Sequence, residues 1–128
     1  MTQPPITQQV TFIYTTDLAA GSDFMANKIG LKLVLNQFDT CHIFRAAPNA
    51  FIGVCTNRPP PGEPGVTYTF VTPDVDGMYE TLKARGVVFN GPPELSERFN
   101  VYACFFGGIE NYRFEIQEFR NPNWPKPE

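Results

Sequence analysis

From Asn111 to Phe119 the chain reads NYRFEIQEF, with apolar and polar side chains alternating at a period of two. A strand here sets Arg113, Glu115 and Gln117 on one face and Phe114 and Ile116 on the other. VTFIYTTD, from Val10 to Asp17, is rich in β-branched and aromatic residues and also predicts a strand. Its faces are Val10, Phe12 and Tyr14 against Thr11, Ile13 and Thr15. LAAGSDFMANKIG then predicts a short helix with Leu18, Phe24, Met25 and Ile29 as its apolar positions. Asp17 suits its N-cap and Gly30 its stop, while Gly21 weakens its interior. Strands follow around LKLVLNQF, TCHIF and AFIGVC, with a turn at 46–50 between the last two.

NRPPPGEPG, residues 57–65, holds four Pro and two Gly and continues neither a helix nor a central strand. Beyond it the pattern begins again. VTYTFVTPD repeats the character of VTFIYTTD and puts Thr67, Thr69 and Val71 on one face. VDGMYETLKARG predicts a helix with Val75, Met78, Tyr79 and Leu82 on one side and Gly86 at its end. Strands near VVF, VYACFF and YRFEIQEF come next, with a tight turn at 107–111. The tail, 120–128, carries Trp124 as an anchor. The whole reads as one domain, 1–128, with a βαβββ module at 8–57, a connector at 58–65 and a second βαβββ module at 66–119.

Composition narrows the function. Ten basic and thirteen acidic residues give a formal charge of −3, with no Lys/Arg-rich run, so nucleic acid is not an expected partner. No apolar run approaches the roughly 20 residues of a membrane helix. MTQPPITQQ lacks the basic and apolar regions of a secretion signal. The cysteines, at 41, 55 and 104, form no CxxC pair, and a reducing cytoplasm is the expected compartment. Twelve Phe and five Tyr are enough to line an apolar pocket as well as a core.

Three stretches together carry a resemblance: DLAAGSDFMANKIGL at 17–31, DVDGMYETLKARGV at 74–87, and the last strand around Glu115. They resemble the vicinal oxygen chelate superfamily, the glyoxalase/bleomycin-resistance/dioxygenase group, over about Val10 to Phe119. The resemblance implies an α+β fold of tandem βαβββ modules forming a curved, incomplete barrel. A homodimer is expected, because such sheets gain closure and buried surface by pairing. Many members hold a divalent metal on ligands from the first and last strands of each half, two of them typically His. Counted from the helix starts, the matching places are Val10, Thr67 (Val66 if the pairing slips by one), a position near Gly53, and Glu115. Glu115 alone has the family's ligand type. The chain has one His, His42, and it sits in a different strand, so one chain cannot supply two His ligands. No metal and no cofactor are expected.

What remains is a cavity wall. By the resemblance the Val10 face looks inward, so the expected ligand-binding residues are Val10, Phe12, Tyr14, Phe51, Cys55, Thr67, Thr69, Arg113 and Glu115. Phe12, Tyr14 and Phe51 would give contact area; Thr67, Arg113 and Glu115 would orient polar groups, with Arg113 as the expected partner of Glu115. Catalytic residues are not identified, Glu115 and Tyr14 being the candidates. His42 reads as a satisfied structural or surface residue, opposite Cys104 in the repeat, and Cys41 and Cys55 as small hydrophobes. The expected function is metal-independent binding or sequestration of a small apolar or aromatic compound. The alternatives are a divergent lyase, isomerase or oxidoreductase using the same cavity, and a non-catalytic dimeric scaffold.

Overall fold

The computed structural model describes residues 3–127. The chain divides between Gly62 and Glu63, inside the proline-rich segment, into two units. The first runs β1 (Gln9–Tyr14), α1 (Leu18–Asp23), a π-helical turn (Phe24–Ile29), β2 (Lys32–Gln37), β3 (Cys41–Ala47) and β4 (Ala50–Cys55). Its sheet order is β1-β4-β3-β2, with β1 parallel to β4 and the other pairs antiparallel. The second repeats this plan with β5 (Thr67–Val71), α2 (Val75–Ala84), β6 (Glu94–Ser96), β7 (Val101–Phe106) and β8 (Arg113–Phe119), in the order β5-β8-β7-β6. The architecture is α+β, two open four-stranded sheets each built from a βαβββ unit, and neither sheet closes on itself.

Local chemistry explains the helices. Asp17 accepts a hydrogen bond from the Ala20 N–H at 3.0 Å, and Asp74 accepts one from the Gly77 N–H at 2.9 Å, so each helix starts on an Asp cap. Gly21 sits where a Cβ would come within 3.0 Å of a Val54 methyl, so its missing side chain lets α1 approach β4. Gly30, at φ 89°, ends the π-helical turn in the left-handed region open to glycine.

Alternation decides the faces. Ile13, Phe44, Ile52 and Val54 are buried in the first unit, as are Phe24, Met25 and Ile29 of the helical segment. The second unit buries Cys104, Phe106, Phe114 and Ile116 from its sheet, and Val75 and Leu82 from α2. Aromatic contacts run through this core. Phe114 stacks on Phe70 and Phe106, with ring centroids 6.3 and 5.5 Å away, and Phe106 meets Phe89, which meets Tyr79.

Two sequence expectations need correction. VVF does not form a strand. Phe89 makes a single bridge to Phe106, and the edge strand is β6, five residues further on. Pro92 and Pro93 lack the N–H groups a continuous ladder would use, so pairing restarts only at Glu94. Cys41 and Cys55 are not separate small hydrophobes. They face each other across β3 and β4 with Cα atoms 4.1 Å apart and form a disulfide, leaving Cys104 as the free thiol. The thiol count therefore gives no argument for a reducing compartment. Among the described residues no helix is long and apolar enough to cross a membrane.

The candidate cavity and its carboxylate

The face of the second sheet away from α2 carries the odd-numbered residues of β7 and β8. Val101, Ala103 and Phe105 stand beside Glu115, Gln117 and Phe119 through the register Val101↔Phe119, Ala103↔Gln117 and Phe105↔Glu115. β6 adds Leu95 and Ser96, and the surrounding loops add Asn90, Gly91, Pro92 and Phe99. These residues enclose about 700 Å³, within the usual range for small-molecule sites.

Glu115 is the polar centre of this wall and is only 7% exposed. The Thr69 hydroxyl donates to its Oε1 at 2.6 Å, and the Gln117 amide donates to its Oε2 at 2.7 Å. Thr69 can do so because β5 lies parallel to β8 with Thr69 directly opposite Glu115. The expected partner, Arg113, is elsewhere: its guanidinium lies 3.9 Å from the centroid of Phe105. The β-strand spacing puts Arg113 on the same face, but the neighbouring ring captures the planar cation. Neutral donors, not a base, compensate the carboxylate.

Three cavity rings are each backed by a planar group. Arg113 covers Phe105, Arg98 lies 5.1 Å from the Phe99 centroid, and Trp124 stacks on Phe119 with centroids 3.6 Å apart. The tail is thus held through Trp124, the anchor its sequence suggested. Cys104 also borders the cavity, but burial and then the nearby Glu115 charge push its thiol up to about 11. It stays protonated near neutral pH and is a poor nucleophile.

Of the residues expected from sequence to line a cavity, Glu115 does so here, with Thr69 bonded behind it and Arg113 one ring away. Thr67 is exposed on β5, opposite Arg113. Val10, Phe12, Tyr14, Phe51 and Cys55 belong to the first unit, where parallel pairing of β1 with β4 puts them on one sheet face. The Phe12 ring lies over Gly53, where an added Cβ would collide with it. Cys55 is 1% exposed and bridged, so it offers no thiol. Phe99, Val101, Ala103, Phe105 and Phe119 were missed as wall residues. Alternation along VYACFF could have supplied Val101, Ala103 and Phe105.

His42 lies on the helix side of the first sheet, its Nδ1 2.8 Å from the Ser22 hydroxyl. Its Nε2 is buried without a hydrogen-bond partner among the described residues, so the expectation of a fully satisfied histidine is corrected. Cys104 belongs to the other unit.

The residues do not fit the metal site that the resemblance implies. Val10 and Gly53 have no donor atoms in their side chains and Thr67 offers only a neutral hydroxyl, so Glu115 is the one charged donor at the four places. Among the described residues no three His, Cys, Asp or Glu side chains cluster in a way that could hold a metal ion.

No protein-family model matches this sequence, and no curated protein sequence does. Solved structures do match. A glyoxalase/bleomycin resistance protein/dioxygenase from Nocardioides aligns with 100% of this chain and 92% of its own, at TM-score 0.72 and 22% identity. A member of the same superfamily from Sphaerobacter thermophilus aligns over 89% of this chain and 98% of its own, at TM-score 0.72 and 24% identity. A lactoylglutathione lyase from Agrobacterium tumefaciens covers 95% of this chain and 100% of its own, at TM-score 0.73 and 16% identity. The chain has the fold of the glyoxalase/bleomycin resistance protein/dioxygenase superfamily, also called the vicinal oxygen chelate fold.

Proposed function

We propose that the protein binds a small apolar or aromatic compound in the cavity of its second unit, without a metal. The observation that carries this reading is Glu115, nearly buried and held by Thr69 and Gln117 in the wall of a cavity of about 700 Å³ otherwise rich in Phe and aliphatic side chains. Apolar surface supplies the affinity of such a site and one placed polar group fixes orientation. Sequestration needs no more than this. Turnover by a thiol would need a thiolate, and the Cys104 thiol is held protonated.

Calorimetric titration of the full chain with 1-naphthylmethanol tests the reading. One saturable site per chain is expected, with Kd on the order of 0.1 mM for a probe this small. Absence of saturable heat up to the solubility limit would count against it. A homodimer belongs to the same proposal, since Val10 at 40% and Phe12 at 45% exposed leave apolar sheet surface to cover. Sedimentation equilibrium showing only monomer at high concentration removes that part.

A further inference from the structure

We infer that the compound held in this cavity is an organic cation, an apolar or aromatic body bearing an ammonium group that pairs with Glu115. The inference rests on the reading of the cavity as a binding site and adds the ligand's charge. The described residues that line the cavity include two carboxylates, Glu94 and Glu115, and no Lys, Arg or His. The basic residues nearest in sequence, Arg98 and Arg113, lie over the Phe99 and Phe105 rings, and neither forms an ion pair with Glu94 or Glu115 among the described residues.

Glu115 is held by two neutral donors, one on each oxygen. A carboxylate can accept about four hydrogen bonds, so each oxygen keeps capacity for a further donor. Glu115 is 7% exposed and its two hydrogen-bond donors are neutral, so a ligand ammonium would supply the opposite charge that the wall does not, and a ligand carboxylate would be disfavoured. Two of the lining rings, Phe99 and Phe105, already show the matching chemistry, each with a guanidinium near one face. The wider field agrees. Residues 63–128 contain ten acidic and six basic residues, a formal −4, whereas residues 1–62 contain three acidic and four basic, a formal +1. An approaching cation is therefore drawn toward the second unit.

Three probes with the same ring system separate this inference from the reading beneath it: 1-naphthylmethylammonium, 1-naphthylmethanol and 1-naphthoate, each titrated calorimetrically into the full chain. The ammonium is expected to bind about ten-fold more tightly than the alcohol, and the carboxylate most weakly. Glu115→Gln should erase the ammonium's advantage over the alcohol. Glu94→Gln, an exposed position at the cavity mouth, should reduce that advantage by about two-fold and keeps the test informative if the first variant folds poorly. Equal binding of all three probes, or an ammonium advantage that survives both substitutions, overturns the cation inference and leaves the cavity as a binding site. Binding of none overturns both.

Discussion

Phe114→Ala is expected to lower the unfolding free energy by about 3–5 kcal/mol, the range for removing a buried phenyl ring from a packed core. Phe114 has no exposed surface and touches Tyr68, Phe70 and Phe106, so its loss leaves a cavity that three rings cannot fill without leaving their own contacts. It also lies one residue before Glu115 on β8, pointing to the opposite face. Its packing fixes the strand that presents the carboxylate. Urea unfolding followed by circular dichroism measures the change. A loss below about 1 kcal/mol would mean that the aromatic core does not hold this unit together.

The second large effect is on binding. Ala103→Trp places an indole in the cavity from β7, directly across from Gln117. Because the new ring enters about 700 Å³ of open volume, it should cost little stability, unlike overpacking in a filled core. It occupies the space an aromatic ligand would use, and the affinity for 1-naphthylmethylammonium should fall by about 100-fold, equivalent to about 2.7 kcal/mol. Parallel calorimetry and thermal unfolding of the variant check both halves. Undiminished affinity in a folded variant would place the ligand elsewhere.

Much of the fold is legible in the chain because period and punctuation agree. VTFIYTTD and VTYTFVTPD alternate, Asp17 and Asp74 cap the helical segments after them, and Gly30 and Gly86 end those segments. β6 is the exception. Glu94–Ser96 is three residues long, an edge strand after two prolines, with too little alternation to outweigh the apolar run VVF. The site was legible only in part. Alternation put Glu115 and Gln117 on one face and Thr69 in the matching row of β5, but alternation gives faces and not partners. Whether Glu115 meets Arg113 or Thr69 depends on the parallel register of β5 with β8 and on a phenyl ring that competes for the guanidinium. The Cys41–Cys55 bridge depends likewise on the β3–β4 register. Phe99 and Asn90–Pro92 reach the cavity from irregular segments, for which no periodicity exists to be read.

The most direct measurement is a titration of the isotopically labelled full chain with 1-naphthylmethanol, followed by backbone amide chemical shifts. Saturable changes concentrated within residues 90–119 are expected, with Ala103, Phe105, Glu115 and Gln117 among those most affected. Changes confined to Val10, Phe12 and Phe51, or scattered with those four unmoved, would contradict binding in the second unit's cavity.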